Sequence, residues 1–279
     1  MRDHESPEAQ PAPPLFTRYG FARTGDEAAP LTIEPYPAIC THGALRATVV
    51  ASAVDLVGGL HTRAIAGTDA TFTSDLSIRI PKPDTPEALV ARGETLRVGR
   101  RLITTRVVLS ANELGDEDGT GACYALGETT FTRIPRPPEE APDIRRLSLP
   151  ESIPRHPLDR PLDEAVGVHT IDAGEGHVEL PLRGGLLNPE GVMQGALVAL
   201  VVECAALSIA AEHAGGSPAV TELDLRYLAS ASEGPVYSRA SWIGPAAERM
   251  LGVELRDAGR QDRLTTTALV RIADSQRPA

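Results

Sequence analysis

The sequence predicts an α+β protein built as two similar halves, each a long antiparallel sheet wrapped around one central apolar helix. Three observations carry this reading. A proline-bearing stretch, residues 135–161, holds eight of the 24 prolines and shows no apolar periodicity, so it separates two segments of similar size. Each segment contains a long helix with apolar residues on every side, and such a helix has to be surrounded rather than laid on a surface. Each helix is followed by strand-like runs with alternating apolar and polar residues and turn residues between them.

Taken in order, residues 1–18 are polar and proline-bearing and read as a disordered arm. The first folded half spans 19–134, the linker 135–161 and the second half 162–275. In the first half HGALRATVVASAVDLVGG (42–59) reads as the helix, with Thr41 as an ordinary N-cap. TSDLSIRI (73–80) follows as a strand, then ALVARGETLRV, LITTRVVLSA and CYALGETTFTRI. The second half repeats the order with QGALVALVVECAALSIAA (194–211), VTELDLRYL (220–228), VYSRASWI, MLGVELRDA and LTTTALVRI. The expected arrangement is two long antiparallel sheets joined edge to edge.

Composition narrows the function. A net charge of −11 makes the chain a poor partner for nucleic acid, whose affinity for proteins comes mainly from phosphates neutralised by Lys and Arg. Cys40, Cys123 and Cys204 are far apart, without C-x-x-C or Cys/His clustering. That argues against a disulfide scaffold or a metal site and suits a reducing cytoplasm. Acids and prolines open the chain where a signal peptide needs an apolar core. The apolar stretch from Ala196 to Ala211 is broken by Glu203 and is short of the roughly 20 residues that span a bilayer. A cytoplasmic protein without cofactor, metal or membrane partner is expected.

The second half carries Asn188, Gly191, Gln194, Gly195 and Ala196, then Glu203 nine residues after Gln194, then the strand Thr221–Leu228 and Gly234-Pro235. This pattern resembles the hotdog fold, and within it the PaaI-like acyl-CoA thioesterases, whose motif is roughly N-x-x-G-x-x-H-G-G, an acid nine residues after the His, and a T-x-D/E-L-x-x-x-Y/F-L strand. Gln194 stands where His is usual and Ala196 where the second Gly is usual. The first half carries His42, Gly43 and Ala44, with Ala51 nine positions after His42 and Asp55 one turn further. The resemblance implies a double hotdog, an intramolecular pseudo-dimer, with hydrolysis of an acyl-CoA thioester at a site between the halves.

Glu203 is the sharpest chemical signal. Its helical neighbours leave no polar face, and an unpaired buried charge costs on the order of several kcal/mol. General acid–base catalysis uses carboxyls in such surroundings; the plainer reading is a Glu hydrogen-bonded to Thr or backbone groups of the next layer. His42-Gly43 is expected at the start of the first helix, where free N–H groups would stabilise an oxyanion. Gln194-Gly195 offers the same geometry. Thr221 and Ser74 sit at equivalent strand positions, suited to orienting water or a carboxylate, although core Thr and Ser are common. Asn188 joins the substrate-binding set. Arg100 and Arg101, with Arg97, flank a Gly99 hairpin, as Arg256, Arg260 and Arg263 flank Gly259; either cluster could hold coenzyme A phosphates or simply be solvated.

Nine residues of helix separate Gln194 from Glu203 by about 13–14 Å, so the acid is expected to serve the helix start of the other half. That pairs Glu203 with His42-Gly43 in a competent site and leaves Ala51 with Gln194-Gly195. On this reading Asp55 is a solvated or helix-end acid that matters little; the alternative is that it substitutes for the acid missing at Ala51. The rival functions are an acyl-CoA-binding protein without catalysis and a hotdog hydratase or dehydratase.

Overall fold

The computed structural model describes residues 15–23, 31–111, 122–136, 153, 155–188, 190–214 and 216–275. Most of the expected arm and linker lies outside them. The described end of the arm, Leu15–Arg18, is a 3-10 turn with Leu15 and Thr17 buried. The described end of the linker is also fastened: the Tyr36 hydroxyl accepts from the Leu158 N–H, and Arg155 pairs with Glu34.

The first half supplies β1 (Phe21–Arg23), β2 (Leu31–Ile33), β3 (Cys40–Thr41), β4 (Ala44–Leu45), α1 (Ala47–Ala66), β5 (Ala70–Arg79), β6 (Leu89–Val98), β7 (Leu102–Ala111) and β8 (Cys123–Ile134). The second supplies α2 (Leu162–Val166), β9 (His169–Asp172), β10 (His177–Leu180), α3 (Gly195–Ala214), β11 (Pro218–Tyr227), β12 (Val236–Trp242), β13 (Met250–Asp257) and β14 (Arg263–Asp274). The strands expected from the sequence are present, and the short β1–β4, β9 and β10 are additions that its weaker patterning concealed.

The long strands lie in one sheet of twelve strands, in the order β1-β2-β6-β7-β8-β5-β11-β14-β13-β12-β10-β9, and β3 and β4 form a separate two-stranded one. The halves meet where β5 pairs antiparallel with β11, Glu222 opposite Arg79 and Arg226 opposite Asp75. Bonding β5 to β11 satisfies two rows of backbone groups that would otherwise be exposed edges. Arg79 bonds Asp224 across this seam through both terminal nitrogens, at 2.9 and 3.0 Å.

The helices begin and end differently from the expectation. α1 starts at Ala47, because residues 40–45 form a small hairpin whose turn is His42-Gly43, both at positive φ. Both helices run 20 residues, long and apolar enough to cross a membrane by length and composition alone. Their apolar sides are instead occupied by the sheet and by each other: α1 packs on β5–β8, α3 on β10–β14, and the two helices touch. Contact is close where Gly58 faces β8, since a Cβ there would stand 2.2 Å from Thr129 Cγ2. Only glycine permits that approach.

Candidate active site

Helix register decides which groups meet. Counted from the helix starts, Asp55 and Glu203 are each the ninth residue, so they, and not Ala51 and Glu203, are counterparts. Each carboxylate points to the beginning of the opposite helix, which gives two carboxylate–helix junctions related by the pseudo-twofold at the β5–β11 seam.

At the first junction Glu203 is 1% exposed. Its Oε1 accepts the Ala47 N–H at 2.9 Å, and its Oε2 accepts the Thr48 N–H at 3.2 Å and the Thr48 hydroxyl at 2.5 Å. These are the free donors of the first turn of α1, whose N-cap, Arg46, makes no side-chain cap bond. Glu203 therefore works as an N-cap delivered from the other half, with the helix dipole favouring its charge. Arg46 is itself buried and bonds Asp163 of α2 at 2.6 Å. The acid does serve the opposite helix, but as a cap bonded to the Ala47 and Thr48 donors of its first turn.

His42 and Gly43 are not part of this junction. They form the exposed turn of the β3–β4 hairpin, several residues before the helix, where their N–H groups belong to a loop and gain nothing from the dipole. Thr221 bonds the Arg271 carbonyl at 3.2 Å, within the sheet.

The second junction is open. A cleft of about 550 Å³ is lined by Asp55, Gly195, Tyr227 and Asn188, with Phe72, Phe131, Met193 and Val198 among its apolar walls. Asp55 is partly buried, and among the described residues its one hydrogen-bond partner is Thr73, whose hydroxyl donates to Oδ1 at 2.7 Å. Oδ2 has no hydrogen-bond partner among the described residues and faces the first residue of α3: a methyl group on Gly195 would stand 3.4 Å from it. Desolvation by burial raises the Asp55 pKa, and the Thr73 bond opposes that rise. Tyr227 approaches the same point, its hydroxyl 3.6 Å from that methyl position.

The remaining expected residues divide. Ser74 lines the cleft and donates to the Thr130 carbonyl at 3.0 Å. Asn188 lines it too, with Oδ1 accepting the Glu190 and Val192 N–H groups, so its role is to shape the loop before α3. Gln194 precedes α3, its amide directed at the Gly185 and Leu187 carbonyls at 3.5 and 3.4 Å. Arg100 and Arg101 are exposed at the β6–β7 hairpin and do not line the cleft. Arg260 donates at 3.0 Å to Ser232, which follows the rim formed by residues 228–231.

The sequence reading set Ala51, not Asp55, opposite Glu203 because it matched Gly43-Ala44-Leu45 with Gly195-Ala196-Leu197. In the first half that tripeptide is hairpin; in the second it opens the helix. A better ruler was present: the spacing from acid to strand hydroxyl (55 to 74, 203 to 221) is nearly equal in the two halves.

No family model and no curated protein matches the sequence. Solved structures do match in shape. An acyl-ACP thioesterase from Bacteroides thetaiotaomicron superimposes with a TM-score of 0.56 at 11% identity, covering 87% of this chain and 96% of its own. The 12:0-ACP thioesterase from Umbellularia californica gives 0.57 at 11% identity, over 87% and 95%. A conserved protein with a hot dog fold from Alicyclobacillus acidocaldarius gives 0.51 at 10% identity, over 95% and 99%. With apolar helices packed against one long antiparallel sheet, and with likenesses that run nearly the full length of these structures, the chain has the hotdog fold.

Proposed function

We propose that the protein hydrolyses an acyl thioester, with acyl-CoA as substrate, at a composite site where Asp55 of one half faces the first turn of α3 of the other. The observation that carries this reading is the free Asp55 Oδ2 opposite Gly195 in an open cleft. A thioester carbonyl at the start of α3 has its developing oxyanion beside free backbone N–H groups and the positive end of the dipole. Asp55 takes a proton from water as the water oxygen bonds the carbonyl carbon. The C–S bond then breaks, and the thiolate takes that proton back. The thioesterases among the structural neighbours support the reaction class at the level of fold.

A thiol carrier of small size suits the chain better than an acidic carrier protein, which a net charge of −11 would repel. Arg260, bonded to Ser232 beside the rim, is a cation suited to the coenzyme A phosphates. This reading is a double hotdog with one live site per chain, acting where acyl-CoA and free thiols coexist, in the cytoplasm.

The test is thiol release from a panel of acyl-CoAs. Asp55→Asn should remove it and Arg260→Ala should raise KM, an effect weakened by salt. Tight binding by the unaltered protein without release would replace hydrolysis with an acyl-CoA-binding role.

A further inference from the structure

The pseudo-symmetry provides an internal control on which groups in the cleft the fold itself requires. Because Glu222 pairs with Arg79 and Arg226 with Asp75, β5 and β11 are related about Asp224 and Ser77, and Tyr227 corresponds to Ile80. At the closed junction that position is a buried isoleucine. Packing at the end of the strand is therefore met by a hydrocarbon, and the phenol at the open junction needs another explanation.

Its surroundings supply one. The Tyr227 ring is half-buried, and its hydroxyl reaches into the cleft, with only a long 3.5 Å approach to the Gly195 carbonyl. Asp55 Oδ2 and Tyr227 Oη lie 3.4 and 3.6 Å from one common point, the Cβ position that Gly195 leaves empty. That point lies one bond from the Gly195 Cα, so a small molecule that contacts both oxygens stands off it, on the cleft side.

We propose that Tyr227 is a second catalytic residue, holding the attacking water jointly with Asp55. This rests on the hydrolytic reading above. The water donates one hydrogen to Asp55 Oδ2 and accepts a bond from the Tyr227 hydroxyl in the ground state; as its oxygen bonds the carbonyl carbon, the proton passes to Asp55. Tyr227 keeps its own proton throughout. Burial, with the Asp55 charge adding to it, holds its pKa well above the ordinary value for tyrosine, so the hydroxyl is a donor over the whole neutral range. Gly195 completes the arrangement because its missing side chain leaves room for the water.

The experiment compares Tyr227→Phe, Asp55→Asn and the unaltered chain in steady-state thioester hydrolysis, with thermal unfolding in parallel. Tyr227→Phe removes one oxygen and keeps the ring. It should lower kcat roughly 10- to 100-fold, the scale of one lost hydrogen bond in a reacting complex, with KM within about twofold and an unchanged unfolding midpoint. A Tyr227→Phe variant with unaltered kcat, beside an inactive Asp55→Asn, overturns the tyrosine role and leaves the site standing. A raised KM with constant kcat also overturns it, by making Tyr227 a substrate contact. Full activity in Asp55→Asn removes the site reading itself and the tyrosine role with it.

Discussion

The Glu203 carboxylate is bonded to the first turn of α1, whereas Asp55, its counterpart, stops short of α3. The two side chains differ by one methylene. With the longer arm the carboxylate reaches the helix donors and closes the junction; with the shorter one it leaves a gap that opens into the cleft. A buried acid whose two oxygens both accept hydrogen bonds is a poor base, and the one that sequence reading favoured is the engaged one.

Asp55→Asn should therefore lower turnover by about 10²–10⁴-fold, the usual span for a general base. It should also stabilise the fold at neutral pH. The native pKa is raised above its unfolded value, so the native state holds its proton more tightly. Stability then falls as pH rises through that interval, and an ionised Asp55 is a net burden above it. Denaturant titration of the variant should show a higher midpoint.

Glu203→Gln should show the reverse pattern. The amide keeps one acceptor and loses the charge, leaving the Ala47 and Thr48 donors and the buried Arg46 less well matched. A loss of roughly 1–3 kcal/mol is expected. The folded variant should keep turnover within about twofold. Urea unfolding beside thiol release separates the two effects.

The acid limb of kcat/KM should lie above the range of an ordinary aspartate, because Asp55 must be ionised to accept a proton and burial raises its pKa. Activity rises with pH through that midpoint. Thr73→Val deletes the bond that holds the pKa down and should move the limb further toward neutrality. An unmoved limb would show that Asp55 does not set it.

Asp257 fastens the loop behind the rim. Its carboxylate accepts the Ser232, Glu233 and Gly234 N–H groups at 2.7, 3.1 and 2.7 Å. Burial pushes its pKa up, but these bonds outweigh it and the net shift is downward. Its contribution is present above the unfolded pKa and is lost as pH falls through the lower native one. Asp257→Asn places a donor among three donors and should cost about 1–3 kcal/mol at neutral pH, with less difference from the unaltered chain in acid.

Much of this was legible in the sequence. Continuous apolarity around Val198–Ala206 and Val49–Val54 marked the core helices, and alternation along runs such as LITTRVVLSA marked the long strands. That an acid crosses to the opposite helix followed from helical rise alone. The start of α1 did not follow, because Arg46 is not a capping residue by type and its helix is capped by Glu203, 156 positions from Ala47. A cap supplied through tertiary contact leaves no local trace. Which strands join the halves was equally hidden, since β5 and β11 each read alone as an edge.

The β5–β11 seam also bears on stoichiometry. Two identical subunits meeting at such a seam would carry two identical junctions, and any change of acid would alter both at once. Joined in one polypeptide, the halves are free to differ, and a single methylene separates a closed junction from an open cleft. Titration with a slowly released thioester analogue should count one binding equivalent per chain, where a symmetric pair of subunits would count two.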